Sequence, residues 1–336
     1  MLKEKKTLQF LAIAVIVVLA FLVPAFIKER YLLHVFITIF YFVILAASLL
    51  LIMMVGQMSL AHAGFVAIGA YTAGIVTRDL GWSLWVAMPL AGLTSGVIGA
   101  LVGFPTLRLR GTYFLLVTFA FGSLVTLFFG NILDNVFGGV VGFRNIPAPT
   151  FELGSFKVDF IASRVPYYYL ALVLALITVL AMYRLRNSRL GVIFNSIAQA
   201  DGLAEHCGVN LMKYKVMAFS IACIFPGMAG AFYAGYHFVV FPADFTFKES
   251  LTTLIQMIVG GTGSLAGPVV GAAGLTIVQE LLTALPYQKA IIFGGILIVV
   301  VMFLPGGLVG VPGQVVSIFR KFRRPERVNV ETKPKE

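Results

Sequence analysis

The sequence predicts an all-α fold, a polytopic transmembrane helical bundle of about ten spans (eight to ten) with broken or re-entrant helices near the midplane. Three observations carry that prediction. Hydrophobic residues make up 60% of the 336 and charged residues only 12%. The charges gather in short clusters between apolar runs roughly 20 residues long, the length that crosses a hydrocarbon core as a helix. Glycine-rich runs at 56–64 and 260–274 then interrupt two of the apolar stretches. A soluble chain of this length would carry a charged shell instead.

Taken in order, the apolar runs place spans at 8–27, 31–55, 59–78, 82–104, 113–131, 166–183, 216–236, 252–262, 266–284 and 289–304. The first follows Lys3, Lys5 and Lys6 as a signal peptide would, but it is long and lacks a small-residue cleavage site, so it reads as a retained helix. The short run at 252–262 is open to a second reading, a re-entrant half-helix. An outer loop at 132–165 carries Gly138, Gly139, Gly142, Pro147 and Pro149, which suits an ordered loop or short strands. An inner loop occupies 184–215. Residues 1–315 form a single transmembrane domain on this reading. Residues 316–336 form a basic cytoplasmic tail whose Arg320, Lys321, Arg323, Arg324 and Arg327 suit anionic lipid headgroups or a simple anchor.

With both termini cytoplasmic, 17 of the 25 Lys and Arg fall in inner segments together with only six of the 14 acids. That asymmetry predicts this orientation and an even number of crossings. The formal charge of +11 therefore reports membrane orientation rather than nucleic-acid binding. Two cysteines, Cys207 and Cys223, supply neither a disulfide framework nor a thiolate metal site. A G-x-x-x-x-G-K-[ST] phosphate loop is missing, as is a nucleophile, base and orienter set, so no catalytic or metal-binding residue is assigned. Few ionisable residues fall inside the spans, which argues against an ion-coupled carrier, and Glu280 reads as lying near an interface.

The breaks hold the candidate path residues. GQMSLAHAGFVAIGAY, from Gly56 to Tyr71, puts Gln57, Ser59 and His62 where a helix begins in an apolar zone. His62 is open to two readings, a bond to a nearby backbone carbonyl or contact with substrate or water. GGTGSLAGPVVGAAG, from Gly260 to Gly274, adds Gly260, Gly261, Gly263, Ser264 and Gly267, and Pro268 removes a backbone donor. Freed N–H groups at such breaks can hold a carboxylate. Most of the 34 glycines are expected to serve close helix packing instead. Both breaks contain Ser-Leu-Ala, at Ser59 and Ser264, a faint sign of two related halves.

The inner loop reads SRLGVIFNSIAQADGLAEHCGVNLMKYKV from Ser188 to Val216, with a helical stretch stopped at Gly208 and small residues at Ala198 and Ala204. On these residues alone it either docks in a partner's groove or lies on the membrane surface.

Five motifs in order give the chain a resemblance to the M-type permease of the branched-chain amino-acid ABC importer family, over roughly residues 31 to 311. They are GQMSLAHAGFVAIGAY, RLRGTYFLLVTFAFG from Arg108 to Gly122, SRLG with Asp201, Ala204, Gly208, Val209 and Asn210, GGTGSLAGPVVGA, and FLPGGLVG from Phe303 to Gly310. The resemblance implies a permease subunit that forms a heterodimer with a second related permease. It also implies two cytoplasmic ATPase subunits and an extracytoplasmic substrate-binding protein. No cofactor is implied in this chain, because ATP and Mg would sit in the ATPases. Arg189, Gly191, Asp201, Ala204 and Gly208 would form the ATPase coupling loop, which tips the inner loop toward docking.

Family members serve branched-chain amino acids, other amino acids, or urea and short amides, in a bacterial or archaeal plasma (inner) membrane. Two positions depart from the pattern. Ala61 stands where the first signature usually has glycine, and Ala198-Gln199 stand where the coupling helix commonly has a charged pair. The rival class is a stand-alone channel or ion-coupled carrier.

Overall fold

The computed structural model describes residues 15, 17–27, 29–132, 134–153, 156–158, 160, 163–285, 288–303 and 307–310. In chain order its helices are α1 (Val17–Phe26), α2 (Arg30–Met53), α3 (His62–Arg78), α4 (Leu84–Thr106), α5 (Thr112–Asn131), α6 (Asp134–Phe137), α7 (Val165–Arg186), α8 (Arg189–Gln199), α9 (Asp201–His206), α10 (Leu211–His237), α11 (Phe247–Gly260), α12 (Ala266–Leu281) and α13 (Lys289–Phe303). Each apolar run carries a helix. Five of them, α2, α4, α5, α7 and α10, are long and apolar enough to cross a membrane. Lys3, Lys5, Lys6, residues 304–306 of the closing motif and the whole 316–336 tail lie outside the described residues.

Three helices start where a polar side chain takes up a free N–H. Ser83 caps α4 through Trp85 N, Ser188 caps α8 through Gly191 N, and Asn210 caps α10 through Lys213 N. In lipid there is no hydrophobic drive between apolar helices, so close approach of backbones has to hold them. The α3, α4 and α10 core does this with glycine. Gly69 lies against the Gly227 backbone, Gly230 against the Val66 carbonyl, and Gly92 and Gly96 receive Met228 and Ile224 of α10. Helix α2 packs on α7, α10 and α12, and α5 lies on α3 with Leu116, Leu124 and Leu127 exposed.

The outer loop is ordered in part by strands, which qualifies the all-α class. Strands β1 (Phe151–Leu153) and β2 (Phe156–Val158) form an antiparallel hairpin with Phe151 opposite Val158. Phe143 and Val240 exchange backbone bonds of 2.8 and 2.9 Å, tying the loop to the segment after α10. The Arg78 guanidinium sits 3.6 Å above the Phe143 ring.

The two breaks sit at different depths, and the midplane expectation needs correction for the second. Helix α3 starts beside Ser48 of α2 and Thr118 of α5, each five or six residues from its helix's end at the inner loop, so about 8–9 Å into the bundle at 1.5 Å per residue. The α11–α12 turn lies instead at the inner-loop end, where the Arg186 guanidinium of α7 donates to the Gly263 carbonyl. The reason is length. Helix α11 begins at Phe247 rather than at 252, so its 14 residues reach about 21 Å.

Candidate functional site

The first break is closed by polar side chains. After α2 the chain turns at Gly56, where φ is +75° and a Cβ would come 3.2 Å from the Ala198 Cα of α8. Beyond Gly56, three N–H groups at the start of α3 are taken up by side-chain hydroxyls. Thr118 Oγ1 accepts from Leu60 N at 3.1 Å, Ser59 Oγ from Ala61 N at 3.2 Å, and Ser250 Oγ of α11 from Ala63 N at 2.9 Å. Gln57 donates to the Leu109 carbonyl at 3.3 Å and is buried. His62 is 1% exposed, and its Nε2 lies 3.3 Å from Ser48 Oγ. Its partner is thus a side-chain hydroxyl, which neither sequence reading named. Ala61 is fully buried, and Gly122 of α5 packs against its backbone.

The second break closes backbone on backbone. A Cβ at Gly260 would overlap the Gly267 carbonyl, one at Gly267 the Gly261 carbonyl, and one at Gly307 the Gly261 backbone. Gly261 takes φ +107°, open to glycine at low cost. Ser264 is half-buried, and its carbonyl accepts from Gly267 N at 3.2 Å. Gly263 is exposed, with Arg186 on its carbonyl. The eight candidate path residues therefore fall into two groups, linked by α11. Ser250 near its start meets the first break, and Gly260 at its end forms the second.

The inner loop is two helices meeting at Ala200. Gly191, Phe194 and Ile197 bury one face of α8, while Arg189 is exposed at its start. Gly191 has no room for a Cβ, because the Arg186 carbonyl occupies that space. Asp201 opens α9 and receives Lys215 Nζ at 2.8 Å and Arg110 Nη2 at 3.3 Å. Lys215, on α10, is only 4% exposed, so this ion pair fixes the loop to the bundle. Ala204 is buried, and Gly208 ends α9 with φ +83°. A cleft of about 530 Å³ lies alongside, lined by Arg108, Arg110, Glu205, Asn210 and Lys215. Sequence reading found Asp201 but neither of its partners, because neither a contact across 14 residues nor one to Arg110, before α5, leaves a local pattern.

These motifs, in this order on this bundle, match a known family. A profile of the family described as "branched-chain amino acid transport system / permease component" covers residues 31–303. The chain belongs to that family. The chain is 32% identical over 271 residues to the high-affinity branched-chain amino acid transport system permease protein LivM of Salmonella typhimurium, covering 75% of this chain and 64% of that protein. LivM of Escherichia coli is 30% identical over 272 residues, with the same coverage. LivH of Escherichia coli, named as a permease protein of the same system, is 27% identical over 147 residues, 42% of this chain and 47% of LivH. The match thus spans less than two thirds of either LivM protein. No solved structure matches the chain.

Two further features of this branched-chain permease family member escaped the sequence reading. One is a cleft of about 410 Å³ at the outer-loop end, lined by Arg30, His34, Arg164, Tyr167, Tyr236 and His237, with His34 Nδ1 2.8 Å from the Tyr236 hydroxyl. The other is Glu249, which the late boundary of the eighth span left outside the helix. It accepts from the Tyr41 hydroxyl at 2.5 Å. An extended search for polar residues at i, i+4 and i+7 ahead of 252 would have found it.

Proposed function

We propose that this chain is the transmembrane permease subunit of an ATP-driven (ABC) importer that moves branched-chain or other amino acids across a bacterial or archaeal plasma membrane. In this reading residues 1–315 form one permease domain of about ten spans with both termini inside, ahead of a basic tail. It pairs with a second related permease, two cytoplasmic ATPases holding ATP and Mg, and an outer binding protein. The relatives' names support the solute class.

One observation carries the coupling role. The inner loop reaches both breaks, through Ala198 against Gly56 and through Arg186 on Gly263. An ATPase that moves the inner loop thereby acts on Gln57, Ser59, His62 and the Gly260–Gly267 turn, which line or shape the path, while Arg189, Gly191, Asp201, Ala204 and Gly208 form the coupling element.

The test is uptake-coupled ATP hydrolysis by the complete complex in vesicles. Asp201→Asn removes the charge that holds Lys215 and Arg110, and it should leave assembly intact while ATP hydrolysis no longer follows uptake. Normal coupling in that variant would sink the loop assignment. Uptake by this chain alone, without ATPases, would establish a channel or ion-coupled carrier instead.

A further inference from the structure

We propose that Glu249, in the first turn of α11, is the ammonium-binding station of the transport path, the group that receives the cationic end of an amino-acid solute. This rests on the permease reading above. Glu249 stands at mid-depth, since its partner Tyr41 is halfway along the 24 residues of α2. Tyr41 satisfies Oε1, but Oε2 is buried with no partner among the described residues. A buried carboxylate oxygen calls for a donor.

A second acceptor is open on the same face of the helix. Gln256 lies two turns beyond Glu249 and is 0% exposed. Its Nε2 donates to Thr276 Oγ1 at 3.2 Å, whereas its Oε1 has no partner among the described residues. Between them Thr253 donates to the Glu249 carbonyl and is already satisfied. What α11 leaves free along this face is therefore acceptor oxygen, which fits a ligand made of N–H donors.

The surroundings fit an organic ammonium. The Tyr41 and Tyr233 ring centroids are 6.1 Å apart, and Tyr233 donates to Asp244 Oδ2 at 2.9 Å. Asp244 is exposed, so carboxylates and aromatic rings run from the surface to Glu249. Ring faces and carboxylates are the groups that hold alkylammonium ions. Among the described residues no Lys or Arg pairs with either carboxylate. Nor do the described residues contain a group of three or more His, Cys, Asp or Glu that could hold a metal. Urea and short amides carry no positive charge, so Glu249 selects amino acids between the solute classes that the family resemblance leaves open.

The experiment measures ATP-dependent uptake of labelled L-leucine by vesicles holding the complete transporter, with wild type, Glu249→Gln and Glu249→Asp. The isosteric, uncharged Glu249→Gln should lower the initial rate tenfold or more at unchanged complex yield, and Glu249→Asp should recover part of it. Wild-type rates in Glu249→Gln would overturn the proposal. If that variant fails to assemble, labelling of wild-type Glu249 by dicyclohexylcarbodiimide decides. Protection by L-leucine supports the station, and equal labelling with and without leucine overturns it. The wild-type complex is also given a labelled mixture of amino acids, and absence of any ATP-dependent uptake from it refutes the permease reading and this proposal with it, a result distinct from loss of the Glu249 role alone.

Discussion

Around Ser59 the N–H groups of Leu60, Ala61 and Ala63 are taken up by the hydroxyls of Thr118, Ser59 and Ser250, whereas around Ser264 the chain closes through Gly260, Gly267 and Gly271 packed against facing backbone. The two regions share Ser-Leu-Ala and solve the same problem by opposite means. A hydroxyl closure can exchange partners, because water or a solute oxygen can replace the hydroxyl. A glycine closure can only separate or stay shut. The first break is therefore built to open locally, and the second to move as a unit.

Adding volume at the second break is the harshest test of that contrast. Gly267→Ala drives a methyl into the Gly261 carbonyl, and with backbone on both sides neither can yield. Overpacking typically costs about 1–3 kcal/mol, and a clash with backbone that cannot shift lies at the top of that range. The variant should lose most of its folded yield in detergent, and a wild-type melting temperature would break the comparison. Next in size, Ser250→Ala leaves Ala63 N buried without an acceptor, at a cost of about 1–3 kcal/mol. A lowered melting temperature with the complex still formed is expected, and no shift would show that the hydroxyl does not close the first break.

Two smaller changes sharpen it. Gly208→Ala lies outside both breaks with open space around it, so only its left-handed backbone matters, about 1 kcal/mol. It should uncouple ATP hydrolysis more than it lowers the melting temperature. Ser48→Ala removes the 3.3 Å contact to His62 together with the hydroxyl's own 2.9 Å bond to the Leu45 carbonyl, and should cost about 1 kcal/mol, read from the same melt. A larger loss would make His62 part of the closure.

Hydropathy located the helices well, because each long apolar run has one solvent and one way to satisfy its backbone. It failed where charge interrupts an apolar run. Lys248 and Glu249 moved the apparent start of α11 from 247 to 252, so Glu249 fell outside the span and the hairpin was placed too deep. The site was legible as a set of breaks but not as a set of bonds. Gln57, Ser59 and His62 announce polar groups in an apolar zone, yet Ser48, Thr118 and Ser250, which meet that break, come from three other helices. The pairing of Asp201 with Lys215 and Arg110 was hidden for the same reason.

The mutual backbone bridge between Phe143 and Val240 has a mechanical meaning. Helix α10 runs from Leu211, in the last part of the inner loop, to His237, three residues before that bridge, and its 27 residues make a rod of about 40 Å. Lys215 grips Asp201 at one end of the rod, and the outer loop is clamped near the other. A load placed on the outer loop thus reaches the inner loop through α10 as well as through α5 and α7, the helices that flank the outer loop in the chain.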